Sequence, residues 1–261
     1  MSLIPPPYIH GSTDDVEVAR LIRQAAFVAS FTLDELDAAP GARVLDLGTG
    51  VGAMAAEIAR RRLGIQLTAV DSSPSQLARA EALHPVASYV LADATALPFA
   101  DGSFDRVHAS WLLEHVGDPL KVLAEVRRVL APGGMAQIIE VDNVTLRIAP
   151  PLPELVATFE LLNAAQVAAG GDPWIGGKLE RLAREAGFAR IECRSIALVG
   201  DDDHPDVRAE MNEEFAGICE SLDETLSSAQ LVSARDAARQ LRTRGAGTRI
   251  EYRPVLLRAF V

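Results

Sequence analysis

The chain has 261 residues, of which 49% are hydrophobic and 23% are charged, and its formal net charge is -11. This composition is typical of a soluble globular protein that is long enough to bury a full core. The negative charge argues against nucleic acid and anionic membranes as partners, because both would repel it.

The sequence also predicts where the protein works. The first residues lack the basic and apolar regions of a signal peptide, and no apolar run is long enough to span a bilayer. Cys193 and Cys219 lack metal-ligand or redox spacing. We therefore expect a cytoplasmic protein with reduced thiols, without membrane or nucleic-acid partners.

Predicted helices and strands alternate through the first half of the chain. A helix over "DDVEVARLIRQAAFVASFTLDEL", capped by Thr13, precedes the strand "GARVLDLG". Four further strands are predicted: "IQLTAVD", "ASYVLAD", "SFDRVHAS" and "GMAQIIEVD". The intervening helices are "AAEIARRRL", "PSQLARAEAL" and "PLKVLAEVRRVL". This alternation predicts an α/β fold with a doubly wound parallel sheet that is covered on both faces.

The alternation breaks after Asp142. An inserted helix is predicted in "PPLPELVATFELLNAAQVAAG", and the pattern resumes with "GGKLERLAREAGF" and the strand "ARIECRSIALV". A polar, helix-rich stretch follows, and "RIEYRPVLLRAFV" closes the chain as a strand. We expect a single domain over residues 1–261. Its parts are an N-terminal helical cover (1–40), a core (41–142) and two helical cap insertions (143–176 and 203–244).

The run "VLDLGTGVGA" carries three glycines at alternate positions, Gly48, Gly50 and Gly52. Glycines allow a tight turn and close approach of a ligand, and this run nearly fits the G-x-G-x-x-G/A pattern of dinucleotide-binding proteins. Asp71 and Asp93 end the next two predicted strands. Because such strand ends meet at one edge of a parallel sheet, the two carboxylates predict a site for an adenosine-like ligand there.

Four motifs together carry a family resemblance: "VLDLGTGVGAMAAEIA", "VDSSPSQLARA", "LADATALPFADGSFDRV" and "LLEHVGDPLKVLAEVRRVLAPGG". They resemble successive motifs of class I S-adenosylmethionine-dependent methyltransferases, above all the quinone-biosynthesis-like (type 11) group. The resemblance is dense over residues 41–142 and loose as far as Phe188. It implies S-adenosyl-L-methionine as cofactor and a seven-stranded sheet of order 3-2-1-4-5-7-6, with the last strand antiparallel.

The resemblance also assigns cofactor-binding residues. The methionine part of the cofactor is placed near Asp46, Gly48, Thr49, Gly50, Gly52, Ser110 and Trp111. The ribose and adenine are placed near Asp71, Ser72, Asp93 and Ala94. In the N-terminal segment, Tyr8 and His10 are expected to face the site, and Arg20 to meet the cofactor carboxylate. The alternative for Arg20 is an ordinary surface helix pair with Glu17.

Two other functions stay open. An NAD-dependent oxidoreductase would place a pyrophosphate on the glycine loop, where Asp46 is unfavourable but suits a cationic amino group. "LAPGG" and "FDRV" have no reason to occur in a dehydrogenase. A non-catalytic protein that binds S-adenosylmethionine is the third alternative.

The expected partner is a small, partly apolar methyl acceptor, modified at oxygen or nitrogen. His115 is the candidate base, with loop ordering as its alternative. Asp142 is a candidate to orient the acceptor or to cap a loop, and Trp174 to form an aromatic wall or to anchor the inserted helix. Phe159, Leu162, Met211 and Phe215 suggest an apolar acceptor pocket beside Trp174. No metal site is predicted, and a homodimer is a possible assembly.

Overall fold

The computed structural model of the protein describes residues 15–222 and 225–261, so the predicted cap Thr13 lies outside the described residues. Its main element is a seven-stranded sheet of order β3-β2-β1-β4-β5-β10-β7. The strands are β1 (Arg43–Leu47), β2 (Gln66–Asp71), β3 (Ser88–Leu91), β4 (Phe104–Ser110), β5 (Leu130–Glu140), β7 (Arg190–Ser195) and β10 (Val255–Phe260).

The strand order confirms the predicted fold. In the main sheet, β7 is the sixth strand along the chain and β10 the seventh, so the order reads 3-2-1-4-5-7-6. β10 pairs antiparallel with both β5 and β7, whereas β1 pairs in parallel with β2 and β4. The order reverses beside β1, between β2 and β4, and such a switch point leaves a crevice at the carboxyl ends of the strands.

Helices cover both faces of the sheet and one edge. They are α1 (Asp15–Thr32), α2 (Ala53–Arg61), α3 (Pro74–Leu83), α4 (Pro119–Val129), α5 (Pro153–Ala168), α6 (Leu179–Glu185), α7 (Pro205–Glu220) and α8 (Ser228–Thr243). α3 and α4 begin with proline, as predicted, because proline at the first helical position loses no hydrogen bond. Within the described residues, none of these helices has the length and apolar character needed to cross a bilayer.

The apolar side chains form three clusters. Leu45 on β1 packs towards α4 and α6, whereas its neighbour Val44 packs towards α1 and α2, because successive strand residues point to opposite faces. The third cluster lies among the cap helices α5, α7 and α8 and includes Phe159 and Phe215. The cap therefore has an apolar core of its own.

A second, three-stranded sheet was not predicted. It consists of β6 (Arg147–Ala149), β8 (Leu198–Gly200) and β9 (Arg249–Tyr252), paired antiparallel in the order β6-β9-β8. The prediction of single strands over "ARIECRSIALV" and "RIEYRPVLLRAFV" is therefore wrong, because each run divides between the two sheets. Pro254, which has no N–H to donate, separates β9 from β10, and its carbonyl accepts the Ile196 N–H at 2.8 Å.

Main-chain hydrogen bonds join the two ends of each cap segment. After β5, the Val141 carbonyl accepts the Gly176 N–H at 2.8 Å, and the Asn143 N–H donates to the Pro173 carbonyl at 3.0 Å. The hydrogen bond between Ile196 and Pro254 joins the two ends of the second segment in the same way. Residues 143–176 and 197–253 thus leave the main sheet and return to it at adjacent points.

Candidate active site

A cavity of about 1150 Å³ lies at the carboxyl edge of the main sheet. One part is lined by the loops that follow β1, β2, β3 and β4, and the other by side chains of α1, α5 and α7 and by Tyr252 at the end of β9. The cavity occupies the crevice beside β1 that the reversal of strand order creates. We call these parts the strand-end half and the cap half.

The glycine loop after β1 has a backbone that favours glycine at each of its three glycine positions. Gly48, Gly50 and Gly52 have φ angles of +73°, +55° and +78°. The Gly48 N–H donates to the Val70 carbonyl at 2.8 Å, which holds the loop against β2. A Cβ atom at Gly52 would lie 2.9 Å from the Ala80 Cβ on α3. The loop therefore requires glycine for its backbone and for its packing.

Asp46, on β1 just before the loop, is buried and held from two sides. Its Oδ2 accepts the Thr49 hydroxyl at 2.7 Å, and its Oδ1 lies 3.0 Å from His108 Nδ1. His108 is fully buried on β4, as expected for a core histidine. The Asp46 carboxylate thus orders the loop and contributes negative charge to the cavity that it lines.

Asp71 ends β2 and also fixes the loop. Its Oδ2 accepts the Gly50 N–H at 2.8 Å and its Oδ1 the Ser73 N–H at 2.9 Å. Burial raises the pKa of Asp71, although its backbone hydrogen bonds act in the opposite direction. Asp93, after β3, is exposed and accepts the Thr95 N–H at 2.7 Å. Both carboxylates line the cavity, as do Ser72 and Ala94.

The described residues assigned to the cofactor lie together around one cavity, with a single exception. Those that line it are Arg20, Asp46, Gly48, Thr49, Gly50, Asp71, Ser72, Asp93, Ala94, Ser110 and Trp111. Gly52 is not among the lining residues and packs against α3 instead. Tyr8 and His10 lie outside the described residues.

The chemistry of this lining fits S-adenosylmethionine better than a dinucleotide. Carboxylates suit ribose hydroxyls, an amino group and a sulfonium cation, whereas a pyrophosphate calls for N–H donors and positive charge. Among the described lining residues, Arg20 is the one Lys or Arg side chain. Its guanidinium is already shared between two carboxylates.

Arg20 is buried in α1 and makes more contacts than its sequence suggests. It donates to Glu17 at 2.7 Å and to Glu214 on α7 at 2.6 Å. The alternative of an ordinary surface pair with Glu17 is wrong in one respect: the pair forms, but it is buried. Gln24 Nε2 also donates to Glu214, at 2.7 Å, so α1 and α7 are joined at the cavity wall.

The candidates for acceptor chemistry separate in the structure. His115 lines the cavity in a short turn after β4, with its Nε2 3.7 Å from Glu114 Oε1. Asp142 is not among the lining residues and accepts the Val144 N–H, and burial raises the pKa of Asp142. Trp174 is 40% exposed and also lies outside the lining. The geometry therefore gives no support to Trp174 as an aromatic wall and favours loop ordering for Asp142.

The apolar side chains predicted for the acceptor pocket lie in the cap half, apart from Trp174. Phe159 and Leu162 come from α5, and Met211 and Phe215 from α7. The Phe159 and Phe215 rings are 5.3 Å apart. Tyr252 packs edge-on against Phe215, and its hydroxyl donates to Asn143 Oδ1 at 2.9 Å.

Glu114 and Gln166 are cavity residues that the sequence motifs do not single out. Gln166 Nε2, on α5, donates to Glu114 Oε2 at 2.6 Å, and both side chains are buried in the cavity wall. Glu140 lies behind them and accepts the N–H groups of Leu112 and Leu113. Burial and the charge of Glu114 raise the pKa of Glu140 well above its usual range. The one available signal was the acid next to His115 in "LLEHV".

The acidic run before α7 contains residue types that bind metals. The acidic run Asp201 to Asp203 precedes α7, and Asp201 Oδ1 lies 2.9 Å from His204 Nδ1. Across residues 15–222 and 225–261, no three His, Cys, Asp or Glu side chains are grouped so as to hold a metal ion.

Comparison with known proteins finds similarity to methyltransferases. Residues 45–138 match a family model described as a methyltransferase domain. The O-methyltransferase resE of Aspergillus sclerotiorum is 36% identical over 168 residues, 62% of this chain and 60% of that protein. A demethylmenaquinone methyltransferase of Beutenbergia cavernae is 42% identical over 109 residues, 42% of this chain and 45% of that protein. The chain thus spans about half the length of these curated relatives.

A solved structure agrees on the fold. The phosphoethanolamine N-methyltransferase 2 of Haemonchus contortus, in complex with S-adenosylhomocysteine, superposes with a TM-score of 0.59 at 21% identity. The match covers 90% of this chain and 52% of that one. Residues 45–138 therefore match a methyltransferase domain, and the chain has the class I methyltransferase fold.

Proposed function

We propose that the protein is an S-adenosylmethionine-dependent methyltransferase that modifies oxygen or nitrogen of a small, partly apolar molecule. The observation that carries this proposal is the single cavity that joins the glycine loop and Asp71 to the aromatic side chains of the cap. One half suits the cofactor and the other an apolar acceptor. Relatives named as O-methyltransferase and demethylmenaquinone methyltransferase support this assignment.

Bound S-adenosylmethionine would supply an activated methyl group on its sulfonium. The protein then has to bind and align the reactants, which is a task of proximity and orientation. The glycine loop, Asp71 and Asp93 would hold the cofactor. α5 and α7 would hold the acceptor and exclude water from it.

His115 is the proposed base for an acceptor that arrives protonated. It lines the cavity beside Glu114, and a neutral imidazole has one ring nitrogen that can accept a proton. A positioned base contributes on the order of 10²–10⁴ in rate. His115→Ala should therefore lower kcat while leaving the affinity for S-adenosylhomocysteine unchanged. Full turnover of this variant across the pH range would give His115 a structural role.

Isothermal titration with S-adenosylmethionine and S-adenosylhomocysteine tests the cofactor directly. We expect both to bind, and NADH to produce no fluorescence change on titration. If neither S-adenosylmethionine nor S-adenosylhomocysteine binds, the proposal is wrong. Binding without methyl transfer to a broad panel of phenols and amines would instead favour a non-catalytic binding protein.

A further inference from the structure

A buried carboxylate, that of Glu114, lines the cavity in the turn after β4, where the strand-end half meets α5 of the cap half. Glu114 is 7% exposed, and its Oε2 accepts the Gln166 amide at 2.6 Å. Gln166 Nε2 also donates to the Glu114 main-chain carbonyl at 3.1 Å. A buried carboxylate requires hydrogen-bond partners, and this one is held in a fixed orientation with its Oε1 towards His115.

Glu140 lies behind Glu114 and accepts the main-chain N–H groups of Leu112, Leu113 and Glu114. Burial and the Glu114 carboxylate raise the pKa of Glu140 well above its usual range. Hydrogen bonds to Glu140 and from Gln166 therefore hold the Glu114 segment in place at the cavity wall.

The remaining charges of the lining are also mainly negative. Asp46, Asp71, Asp93 and Glu214 line the cavity together with Glu114, against Arg20 as the one Lys or Arg side chain among the described lining residues. The guanidinium of Arg20 is offset by Glu17 and Glu214, at 2.7 and 2.6 Å. An anion entering this cavity would lose its hydration beside excess negative charge, which is unfavourable.

The walls around Glu114 determine the shape of molecule that fits. The rings of Phe27, Phe31, Phe159 and Phe215 line the same cavity, as do the side chains of Leu162 and Met211. Such a surface favours a flat apolar body through burial and edge or stacked ring contacts.

We propose that the methyl acceptor is a neutral or cationic molecule with a flat apolar body, and that its O–H or N–H group donates a hydrogen bond to Glu114. Acceptors whose reacting end carries a carboxylate or phosphate are excluded. This inference rests on the proposed function, because it names the substrate class of that site.

Four probes with one naphthalene body test the charge selection: naphthol, naphthylmethylamine, naphthoic acid and naphthyl phosphate, all substituted at the same ring carbon. Their binding is measured by calorimetry on the full chain saturated with S-adenosylhomocysteine, at neutral pH. We expect the alcohol and the ammonium compound to bind at least about tenfold more tightly than the two anions. Equal or tighter binding of an anion overturns the proposal.

The role of Glu114 is tested by Glu114→Gln, with Glu160→Gln as the matched control. Glu160 is exposed on α5, so its variant removes one carboxylate outside the cavity. In Glu114→Gln, the affinity for the ammonium probe should fall about tenfold, and the difference in affinity between this probe and the two anions should become smaller. In Glu160→Gln, neither the affinity nor this difference should change. An unchanged probe profile in Glu114→Gln contradicts the proposal.

Two further outcomes keep the inferences separate. If S-adenosylhomocysteine binds but none of the probes does, the acceptor class is wrong and the cofactor assignment stands. If S-adenosylhomocysteine itself fails to bind, the proposed function is wrong. Should Glu114→Gln not fold, Gln166→Met removes the amide that orients Glu114. It should weaken the binding of the naphthol and naphthylmethylamine probes and leave the binding of S-adenosylhomocysteine unchanged. Unaltered binding of the two probes would overturn the proposal.

Discussion

The two halves of the cavity are built in different ways. The strand-end half consists of loops whose shape is set by the main chain, with positive φ angles at glycines and N–H groups bound to Asp71. The cap half consists of side chains from α1, α5, α7 and β9, which come from distant parts of the sequence. The first tolerates little change because its backbone is fixed. The second can change its chemistry by substitution of single side chains.

The largest expected effect is in the glycine loop, where Gly52→Ala and Gly50→Ala form a pair. Both residues have positive φ, which costs about 1–2 kcal/mol for alanine. Only the Cβ at position 52 meets a neighbour, Ala80, and such overpacking costs about 1–3 kcal/mol more. Denaturant unfolding should show the larger loss for Gly52→Ala. Equal losses would mean that the contact with α3 does not matter.

The next effect is in the cap half. Phe215→Ala should reduce the free energy of unfolding by about 2–3 kcal/mol, below the usual range for a fully packed phenylalanine because its ring borders the cavity. The same substitution should weaken the binding of the naphthol probe and leave the binding of S-adenosylhomocysteine unchanged. Phe104→Ala, buried at the start of β4, is the control, since it should destabilise the protein without affecting the probe. Weaker binding of S-adenosylhomocysteine by Phe215→Ala would contradict the separation of the two halves.

A smaller effect is expected for the carboxylates of the strand-end half. Asp71→Ala should weaken the binding of S-adenosylhomocysteine by about 1–2 kcal/mol, because hydrogen bonds are lost and the Gly50 N–H loses its acceptor. Asp93 is exposed and holds only the Thr95 N–H, so Asp93→Ala should have less effect in the same titration. Unchanged affinity in Asp71→Ala would show that the ribose is misplaced.

The last prediction is a pH dependence at Glu140, which lies behind the cavity wall. Since the folded pKa of Glu140 is raised, the folded protein binds more protons than the unfolded chain above pH 4.5. Its stability should therefore fall as pH rises from 4.5 through the folded pKa, by about 1.4 kcal/mol per unit of pKa difference. Glu140→Gln lacks this dependence. Unfolding curves of the two proteins that stay parallel with pH would rule out the raised pKa.

The strand-end half could be predicted because its signals are local. Glycines at alternate positions, an acid at a strand end and Pro74 or Pro119 at a helix start each act on neighbouring residues. The small sheet was missed because β6 and β8 have three residues each, too few for a visible alternation. The contacts of Glu114 with Gln166, and of Arg20 with Glu214, join residues far apart in the chain. No local pattern reports such contacts.

The hydrogen bonds at the base of each cap segment have a consequence for how the protein could be re-engineered. Val141 with Gly176, and Ile196 with Pro254, hold the ends of each segment together on the main sheet. A foreign segment inserted between the same two residues would start from a closed base, and loop-closure entropy grows only slowly with its length. Because the two segments share the small sheet and the third apolar cluster, they form one natural unit for exchange between related proteins, with the glycine loop left intact.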